Sequence, residues 1–487
     1  MEGNETYCIK INLPGGVVSA GDLYELLLIA QNAGADAIRI GNRQQLFFCI
    51  DAANLEDMEM DMLRAGIDYE INEDEFPNII SSYVTDAIFN SESWIKEGVY
   101  KDIFDLFNFT PRLKINLVDR NQAFVPFFSG NFNFITSDVS NYWYLYVRFP
   151  KTTEIYCWPS LVYSDDIPAL SQIAETIIME HKIQFYDQQN IDHQKFHELV
   201  TSDYDLVNQP ITEPLKLPDF QLPYYEGLNR YMNNKYWLGI YRRNELFPMS
   251  FMKDICSLCL KNRIGQLYTT PWKSLLIKGI NEADRKEWGH ILNKYQINVR
   301  HASNELNWQL ENLNTESLEI KQQLVREFEA YDLRTFRLSF AIKMQPKTGL
   351  PGSIIIKKRK TDVFDVLHSH DFNLNSKEYI IYKERVAKHD LGSCLIGLCN
   401  HFYKNLIDQD LSLPAVSTEI QAIQKHIETH PVYQCQNCLS IYDKTYGDGA
   451  DVAAGTDFET LNDYSCPICE SPKDSFIRIE KGIVTVK

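Results

Sequence analysis

Apolar residues near the N-terminus follow a helical spacing and then give way to two short runs typical of β-strands. Across residues 20–33 they recur every three or four positions, with Ser19 placed to cap the helix and Gly34 placed to end it. Residues 37–40 and 46–50 are rich in isoleucine, leucine and phenylalanine and flank a short polar loop. The pattern predicts one helix followed by two strands.

The same order of elements returns in the second half of the chain. A helical pattern around residues 249–260 leads into strand-like runs that contain Leu267 and Leu275. When Leu267 is aligned with Ile38, the offset is 229 residues and the second strands of the two segments also coincide. Two similar halves in one chain predict a body with pseudo-two-fold symmetry.

A helical and proline-rich connection separates the two halves, and a linker precedes the C-terminal end. We expect an α+β fold, with a body of two pseudo-repeated α/β halves and a small metal-stabilised C-terminal unit. Residues 416–428 of the linker are predicted to form a helix that acts as a semi-rigid arm. The predicted segments are residues 1–160 (first half), 161–223 (connection), 224–408 (second half), 409–430 (linker) and 431–487 (C-terminal unit).

The charge balance argues against one broad class of function. With 48 Lys and Arg against 66 Asp and Glu, the 487-residue chain has a net charge of −18, which does not suit sequence-independent binding to nucleic-acid phosphates. The acidic N-terminus is unlike a signal peptide, and no apolar run reaches the roughly 18 residues of a membrane helix. We therefore expect a cytoplasmic protein without a membrane or nucleic-acid partner, whose cysteines are thiols or metal ligands.

Four of the cysteines form two C-x-x-C pairs near the C-terminus, Cys435 with Cys438 and Cys466 with Cys469. Two thiolates separated by two residues on a tight turn can face one ion, and two such turns complete a tetrahedron of sulfur. A tetrahedral S4 site suits zinc or iron, and the ligands alone do not choose between them. This is the strongest chemical signal in the chain.

The residues around and between these pairs resemble rubredoxin in order and spacing. The resemblance implies a single iron, held by four thiolates, that transfers one electron at a time. The chain departs from the family where Leu439 and Glu470 replace the usual glycine after each pair and where Tyr464 replaces a tryptophan. The segments that carry the resemblance are Tyr433 to Cys438, Ile441-Tyr442-Asp443, Gly447-Asp448, Gly455 to Leu461 and Tyr464 to Cys469.

Two further features of the C-terminal segment suit electron transfer. Aromatic side chains are expected to keep water from the iron, while the metal stabilises a unit too small to depend on its own core. Acidic residues outnumber basic ones, which favours brief docking to a basic patch of a partner. The aromatic residues are Tyr433, Tyr442, Phe458, Tyr464 and Phe476, and the acidic residues are Asp443, Asp448, Asp451, Asp457, Glu459, Asp463 and Asp474.

The body resembles the nitrite and sulfite reductases through its repeated segments. Leu13-Pro14-Gly15-Gly16 and Ile38 to Gln44 resemble the first ferredoxin-like half-domain of that family, and residues 267–280 resemble the second. Residues 109–115 resemble the strand that carries basic anion-binding residues in those enzymes. The resemblance implies that converging cations surround siroheme or its bound anion. By position these cations are Arg39, Arg43, Arg112 and Lys114.

The cysteines that hold a [4Fe–4S] cluster in those reductases are missing from the matching positions. The resemblance places them in residues 300–305 and 340–346, but no cysteine occurs between Trp272 and Ser393. An alternative cluster would need other cysteines, which on helices are more typical of small buried hydrophobic residues. We therefore expect no [4Fe–4S] cluster. The other cysteines considered are Cys256, Cys259, Cys394 and Cys399.

These features favour an electron-transfer protein rather than an enzyme. The body would be a docking scaffold, with a reductase as electron donor and a partner in assimilatory nitrate, nitrite or sulfite reduction as acceptor. One alternative is an enzyme that holds siroheme or another tetrapyrrole in the body and is reduced by its own rubredoxin unit. A second alternative is a zinc-loaded scaffold without redox activity.

Overall fold

The polypeptide divides into two compact units, Met1–Phe402 and Tyr403–Lys487. The structure is a computed structural model. It describes residues 6–89, 93–152, 154–188, 190–202, 204, 206–346, 349–376, 378–412, 427–438, 440–448 and 452–484. Within these ranges, no helix is both long enough and apolar enough to cross a bilayer.

The N-terminal segment forms the helix and strands predicted from its apolar pattern. Its elements are β1 (Thr6–Ile11), β2 (Val17–Ser19), α1 (Ala20–Asn32), β3 (Ala37–Ile40), β4 (Leu46–Asp51), α2 (Leu55–Ala65) and β5 (Glu70–Ile71). The Ser19 hydroxyl accepts a hydrogen bond from the backbone N–H of Asp22 and caps α1. Strands β3, β4, β1 and β5 pair in this order as an antiparallel sheet.

A second sheet follows in the first half of the chain. Its elements and the helices beside it are β6 (Ile80–Ser81), α3 (Glu97–Asp105), β7 (Ile115–Val118), β8 (Phe132–Thr136), β9 (Tyr142–Val147), β10 (Tyr156–Cys157), β11 (Ser160–Tyr163), α4 (Ile167–Glu180), α5 (Lys182–Phe185), α6 (His193–Ser202) and β12 (Asn208–Pro210). The strand order is β12-β11-β9-β8-β7-β6, and β10 also pairs with β9. Strands β6, β7 and β8 are parallel, and the other pairs are antiparallel.

The second half repeats the N-terminal segment at the offset read from the sequence. Its elements are β13 (Gly227–Arg230), β14 (Lys235–Tyr241), β15 (Phe247–Pro248), α7 (Met249–Lys261), β16 (Gln266–Thr269), β17 (Ser274–Asn281) and α8 (Arg285–Lys294). Helices α1 and α7 have the same length of 13 residues and begin 229 positions apart. The predicted internal repeat is therefore confirmed.

The repeat extends to the second sheet of each half. The remaining elements of the body are α9 (Ser303–Leu306), β18 (Trp308–Leu310), α10 (Thr315–Ala330), β19 (Phe340–Lys343), β20 (Ile354–Lys360), β21 (Val363–Ser369), β22 (Tyr379–Ala387) and the first part of α11 (Leu391–Ser412), which continues into the second unit. Strands β18, β19 and β20 are parallel to one another, and β21 and β22 then continue the sheet in antiparallel pairs. Strands β6, β7, β8, β9 and β11 of the first half follow the same order of directions. The α+β class and the two pseudo-repeated halves are confirmed, while the boundaries at residues 160, 223, 408 and 430 remain predictions.

The two halves exchange strands. Strand β15 of the second half pairs with β3 of the first, and β2 of the first half pairs with β16 of the second. Gly16 lies in the turn before β2 with a φ of +74°, and a Cβ atom there would come within 2.8 Å of the Thr269 carbonyl oxygen. Glycine at this position therefore permits the close approach of the two halves.

The C-terminal unit contains a three-stranded sheet. Its strands are β23 (Ile427–Cys435), β24 (Ile441–Tyr442) and β25 (Phe476–Val484), with β23 in the centre. A helix was predicted over residues 416–428. Residues 416–426 lie outside the described residues, and the prediction is wrong for Ile427 and Glu428, which belong to strand β23. These two residues pair with Val484 and Ile483, so the long antiparallel ladder with β25 overrides the local helical pattern.

The strand exchange predicts a large stability effect at Phe247. This side chain pairs with Ile38 across the two halves and is 0% exposed within their shared apolar core. We expect Phe247→Ala to lower the free energy of unfolding by about 3–5 kcal/mol, because it leaves a cavity at the junction. Denaturant unfolding should show a much smaller change for Leu260→Ala, since Leu260 is 53% exposed on α7. Equal effects of the two substitutions would contradict the importance of the exchange.

Candidate metal centre and anion-binding groove

The structure brings the four predicted cysteine ligands together at one point. The sulfur atoms of Cys435, Cys438, Cys466 and Cys469 all lie within 4.8 Å of one another. Two of the Sγ–Sγ distances are 3.6 Å (Cys435 to Cys469) and 3.4 Å (Cys438 to Cys466). A tetrahedral ion with metal–sulfur bonds of about 2.3 Å needs sulfurs about 3.8 Å apart. The donor set and its spacing therefore fit a single ion.

The backbone after each first cysteine points hydrogen-bond donors at sulfur. The N–H groups of Cys438 and Asn437 lower the pKa of Cys435, against the opposing effect of burial. Burial tends to raise the pKa of Cys466, but donors that include the Ser440 hydroxyl and the Ile468 N–H lower it to about 6. Two pseudo-symmetric turns thus stabilise the thiolate form that a metal requires.

The structure describes one of the two residues that replace the glycine usual after each cysteine pair. Glu470 follows the second cysteine pair with a φ of +59°, the left-handed conformation that glycine adopts without a side-chain penalty. Its N–H donates to the Cys466 carbonyl oxygen at 2.8 Å. The chain therefore keeps the turn without the glycine. Leu439 lies outside the described residues.

The predicted aromatic residues form the core beside the cysteines. Tyr442, Phe458 and Tyr464 are buried, and Tyr433 and Phe476 pack against them. Tyr464 meets the ring of Phe458 edge-on, with centroids 5.4 Å apart. The tyrosine that stands in place of tryptophan thus keeps an aromatic contact at this position.

Of the seven predicted acidic residues, three are exposed, two (Asp448 and Asp457) are half-buried and one is buried. Glu459, Asp463 and Asp474 are exposed, and Asp457 is half-buried beside Lys444. Asp443 is only 5% exposed and accepts a hydrogen bond from the backbone N–H of Thr445, so its expected place on the acidic surface is wrong. An aspartate that satisfies turn N–H groups cannot be recognised from charge counting alone. Asp451 lies outside the described residues.

Arg43, a predicted anion ligand in the body, is buried and used mainly as an internal donor. Its guanidinium donates to the carbonyl oxygens of Asn78 at 2.7 Å and Ile115 at 3.0 Å, and to the Asn116 side chain at 3.3 Å. Burial lowers its pKa to about 9. Arg43 also lines a cavity of about 370 Å³ that contains Asp74 and Glu311.

Lys114, which also lines that cavity, and Arg112 line a neighbouring groove of about 510 Å³, and the described residues of its lining include no carboxylate. Burial is the main cause that lowers the pKa of Lys114 to about 8, and the nearby Arg43 charge acts in the same direction. The Arg112 guanidinium lies 3.2 Å from Glu75 at its rim. Arg39 lines neither cavity. Three further cations that sequence reasoning missed complete the lining, namely Arg148, Lys151 and Lys343.

Two of these further cations, Arg148 and Lys343, come from different halves of the body. Lys343 ends β19 of the second half, whereas Arg148 follows β9 of the first half. Burial lowers the pKa of Arg148, and it lowers that of Lys343 to about 8. The groove therefore concentrates positive charge in a chain whose net charge is strongly negative.

Of the two stretches where the resemblance places cluster cysteines, residues 300–305 form ion pairs. His301 Nδ1 lies 2.7 Å from the buried carboxylate of Glu226, and Glu305 accepts two hydrogen bonds of 2.7 Å from Arg243. In the second stretch, Phe340–Lys343 forms β19. Neither stretch offers a thiolate. Among the described residues, three or more His, Cys, Asp or Glu side chains come together as a metal-binding group only at the C-terminal cysteines.

Comparison with known proteins identifies relatives for both ends of the chain. Residues 432–476 match the rubredoxin family, and residues 1–65 match the nitrite/sulfite reductase ferredoxin-like half-domain. A rubredoxin of Megasphaera elsdenii is 45% identical over 49 residues, which are 10% of this chain and 94% of that protein. The probable rubredoxin HupI of Bradyrhizobium diazoefficiens is 41% identical over 49 residues, which are 10% of this chain and 71% of that protein.

The body resembles a solved structure in fold. The NirA protein of Mycobacterium tuberculosis superposes with a TM-score of 0.63 at 16% sequence identity, over 82% of this chain and 81% of that chain. At this identity the similarity concerns the fold. The resemblances seen in the sequence, at the C-terminus and in the body, are both confirmed.

The contrast between Arg43 and Lys114 generates a prediction about stability. Arg43→Met should lower the free energy of unfolding by about 2–4 kcal/mol, because it leaves the carbonyl groups of Asn78 and Ile115 buried without donors. Lys114→Met should leave stability unchanged or raise it, since the burial that lowers its pKa also disfavours the charged form. Denaturant unfolding at pH 7 checks both variants. A destabilised Lys114→Met protein would contradict this assignment of roles.

Proposed function

Because the C-terminal segment of this chain belongs to the rubredoxin family, we propose that the protein carries single electrons through Cys435, Cys438, Cys466 and Cys469 and that its body docks a redox partner. The observation that carries the proposal is the convergence of these four sulfur atoms within 4.8 Å. Iron in such a thiolate tetrahedron gains or loses one electron without exchanging ligands.

The residues around the cysteines set the conditions for this transfer. Backbone N–H groups directed at Cys435 and Cys466 stabilise negative charge on sulfur, and the packed rings of Tyr442 and Phe458 exclude water from the buried side of the site. Cys435 and Cys466 are buried, whereas Cys438 and Cys469 are half-exposed. Electrons therefore enter and leave on the side of Cys438 and Cys469.

The surface of the C-terminal unit supports brief docking rather than permanent association. Ile468 lies between the cysteines of the second pair and is 73% exposed, so apolar surface adjoins the half-exposed sulfur of Cys469. Exposed carboxylates of Glu459, Asp463 and Asp474 surround the unit with negative charge. A basic partner is attracted by this charge and released easily, since the contact is small and sensitive to salt.

For the body we propose a scaffold role in assimilatory nitrate, nitrite or sulfite reduction. Its fold resembles that of the NirA protein, and residues 1–65 match the nitrite/sulfite reductase half-domain, while the first of the two stretches expected to hold a [4Fe–4S] cluster contains ion pairs such as Arg243–Glu305. A body that cannot supply cluster electrons still offers a shaped surface to a reductase. The donor is then a reductase protein and the acceptor an enzyme of these pathways.

Removal of one thiolate tests the redox centre. We expect the purified protein to contain about one iron per chain with ferric–thiolate absorption, and Cys435→Ser to lose most of both because an S4 site tolerates few substitutions. Metal analysis and visible spectroscopy measure this result. Cys157→Ser is the matched control, since Cys157 is an exposed cysteine of the body. A colourless protein with stoichiometric zinc would exclude electron transfer and favour the zinc scaffold.

A second candidate function, binding of siroheme or an oxyanion by the body, is favoured by the lining of the groove. Five cations face it, and the described residues of its lining include no carboxylate, although Arg112 pairs with Glu75 at the rim and Lys114 also faces the cavity that contains Asp74. A carboxylated tetrapyrrole or a small oxyanion supplies the compensating charge. Arg112, Lys114, Arg148 and Lys343 are the residues that would hold it.

Anion binding should depend on pH through Lys114 and Lys343. Both have pKa values lowered to about 8, so each ammonium is charged below that pH and is lost as the pH rises through it. We expect the affinity for sulfate, whose charge is constant in this range, to fall between pH 7 and 9 in titration calorimetry. Lys114→Gln should weaken binding roughly tenfold at pH 7, whereas Lys286→Gln, on the exposed face of α8, should not. Equal affinity at both pH values would contradict a role of these lysines.

A further inference from the structure

Two cysteines outside the metal centre face each other across a pair of strands. Cys8 in β1 and Cys49 in β4 are direct partners in the antiparallel ladder. The neighbouring pair, Ile9 with Phe48, is buried in the shared core, so the two cysteines lie on the opposite face of the sheet. Cys49 is exposed and Cys8 is partly exposed, which gives small reagents access to the pair.

The hydrogen bonds of Cys8 define the geometry of this pair. Its N–H donates to the Asn72 side chain at 2.8 Å, and its carbonyl oxygen accepts from the Asn72 N–H at 2.9 Å. Both groups of one residue point to the same side of a strand, so those of Cys8 point away from β4. Cys8 and Cys49 therefore form a non-hydrogen-bonded pair, in which Cα atoms are about 4.5 Å apart. A disulfide spans Cα separations of about 4.4–6.8 Å.

The chemistry of the two thiols differs. The hydrogen bond from Cys8 lowers the pKa of Cys49 to about 6, and the positive charge of Arg39 acts in the same direction against burial. The same hydrogen bond and burial raise the pKa of Cys8. Arg39 lies opposite Phe47 on the same sheet face and is thus a diagonal neighbour of Cys49. Arg39, which lines neither of the two cavities described above, thus places its positive charge beside the thiol of Cys49.

We propose that Cys8 and Cys49 form a reversible dithiol–disulfide couple that reacts with small-molecule disulfides. The Cys49 thiolate attacks one sulfur of the disulfide, whose S–S bond breaks and releases one thiol. Cys8 then loses its proton and attacks Cys49 Sγ, which forms the protein disulfide and releases the second thiol. The protein loses two electrons and two protons, and both leave with the two small thiols.

This couple is independent of the iron centre and of the cation groove. It transfers two electrons rather than one, and neither cysteine lines the groove. The body has no equivalent pair at Cys157, which is exposed but lies opposite Tyr146. Cys256 and Cys259 are fully buried, so disulfide reagents cannot reach them.

Oxidised glutathione is the probe, applied to the full-length holoprotein. After excess glutathione is removed and free thiols are alkylated, peptide mass mapping should find the peptides of Cys8 and Cys49 joined by a disulfide. Dithiothreitol should restore both thiols. A stable glutathione adduct on Cys49 with a free Cys8, or no reaction at either cysteine, would overturn the proposal.

Single substitutions distinguish the role of Cys49, which attacks the small-molecule disulfide first, from that of Cys8, which then attacks Cys49 Sγ. Cys8→Ser should stop at a glutathione adduct on Cys49, because no second thiol can release it. Cys49→Ser should slow modification at Cys8 by at least tenfold, and Cys157→Ser should form the Cys8–Cys49 disulfide as the wild type does. Faster adduct formation at Cys8 than at Cys49 would contradict the assigned order of attack.

Discussion

The body depends on satisfying the polar groups of one buried loop, residues 41–45. Asn42 donates to the Leu310 carbonyl, Arg43 to the Asn78 and Ile115 carbonyls, and Gln44 to those of Ser81 and Thr269. Each buried group left without a partner costs about 1–3 kcal/mol, so the loop holds segments of both halves in fixed positions. The short polar stretch between two strands is thus the point around which the sheets are arranged.

The same loop explains why a reductase motif persists in a chain without the cluster cysteines. Selection for anion binding is not needed to retain Arg43, because its guanidinium already serves three internal acceptors. Lys114 donates to no such set of carbonyl groups among the described residues and instead faces both cavities of the body. The four sulfur atoms that fit a metal ion belong to the C-terminal unit.

The sequence predicted those parts of the structure that depend on local pattern or fixed spacing. The Ser19 cap, the offset of 229 and the two cysteine pairs are local or periodic signals. Arg148 and Lys343 were missed because their convergence depends on the packing of strands distant in sequence. Asp443 was misplaced for a related reason: its carboxylate is used within a turn, which charge counting does not reveal.

The exchange of strands has a consequence for synthesis on the ribosome. Ile38 in β3 receives its partner Phe247 only after about 200 further residues have been made. At translation rates of about 5–20 residues per second, β3 waits on the order of 10–40 s with an unpaired edge. An unpaired apolar strand of this kind readily joins another nascent chain. The open edge of β3 is therefore covered only when the second half of the chain supplies β15.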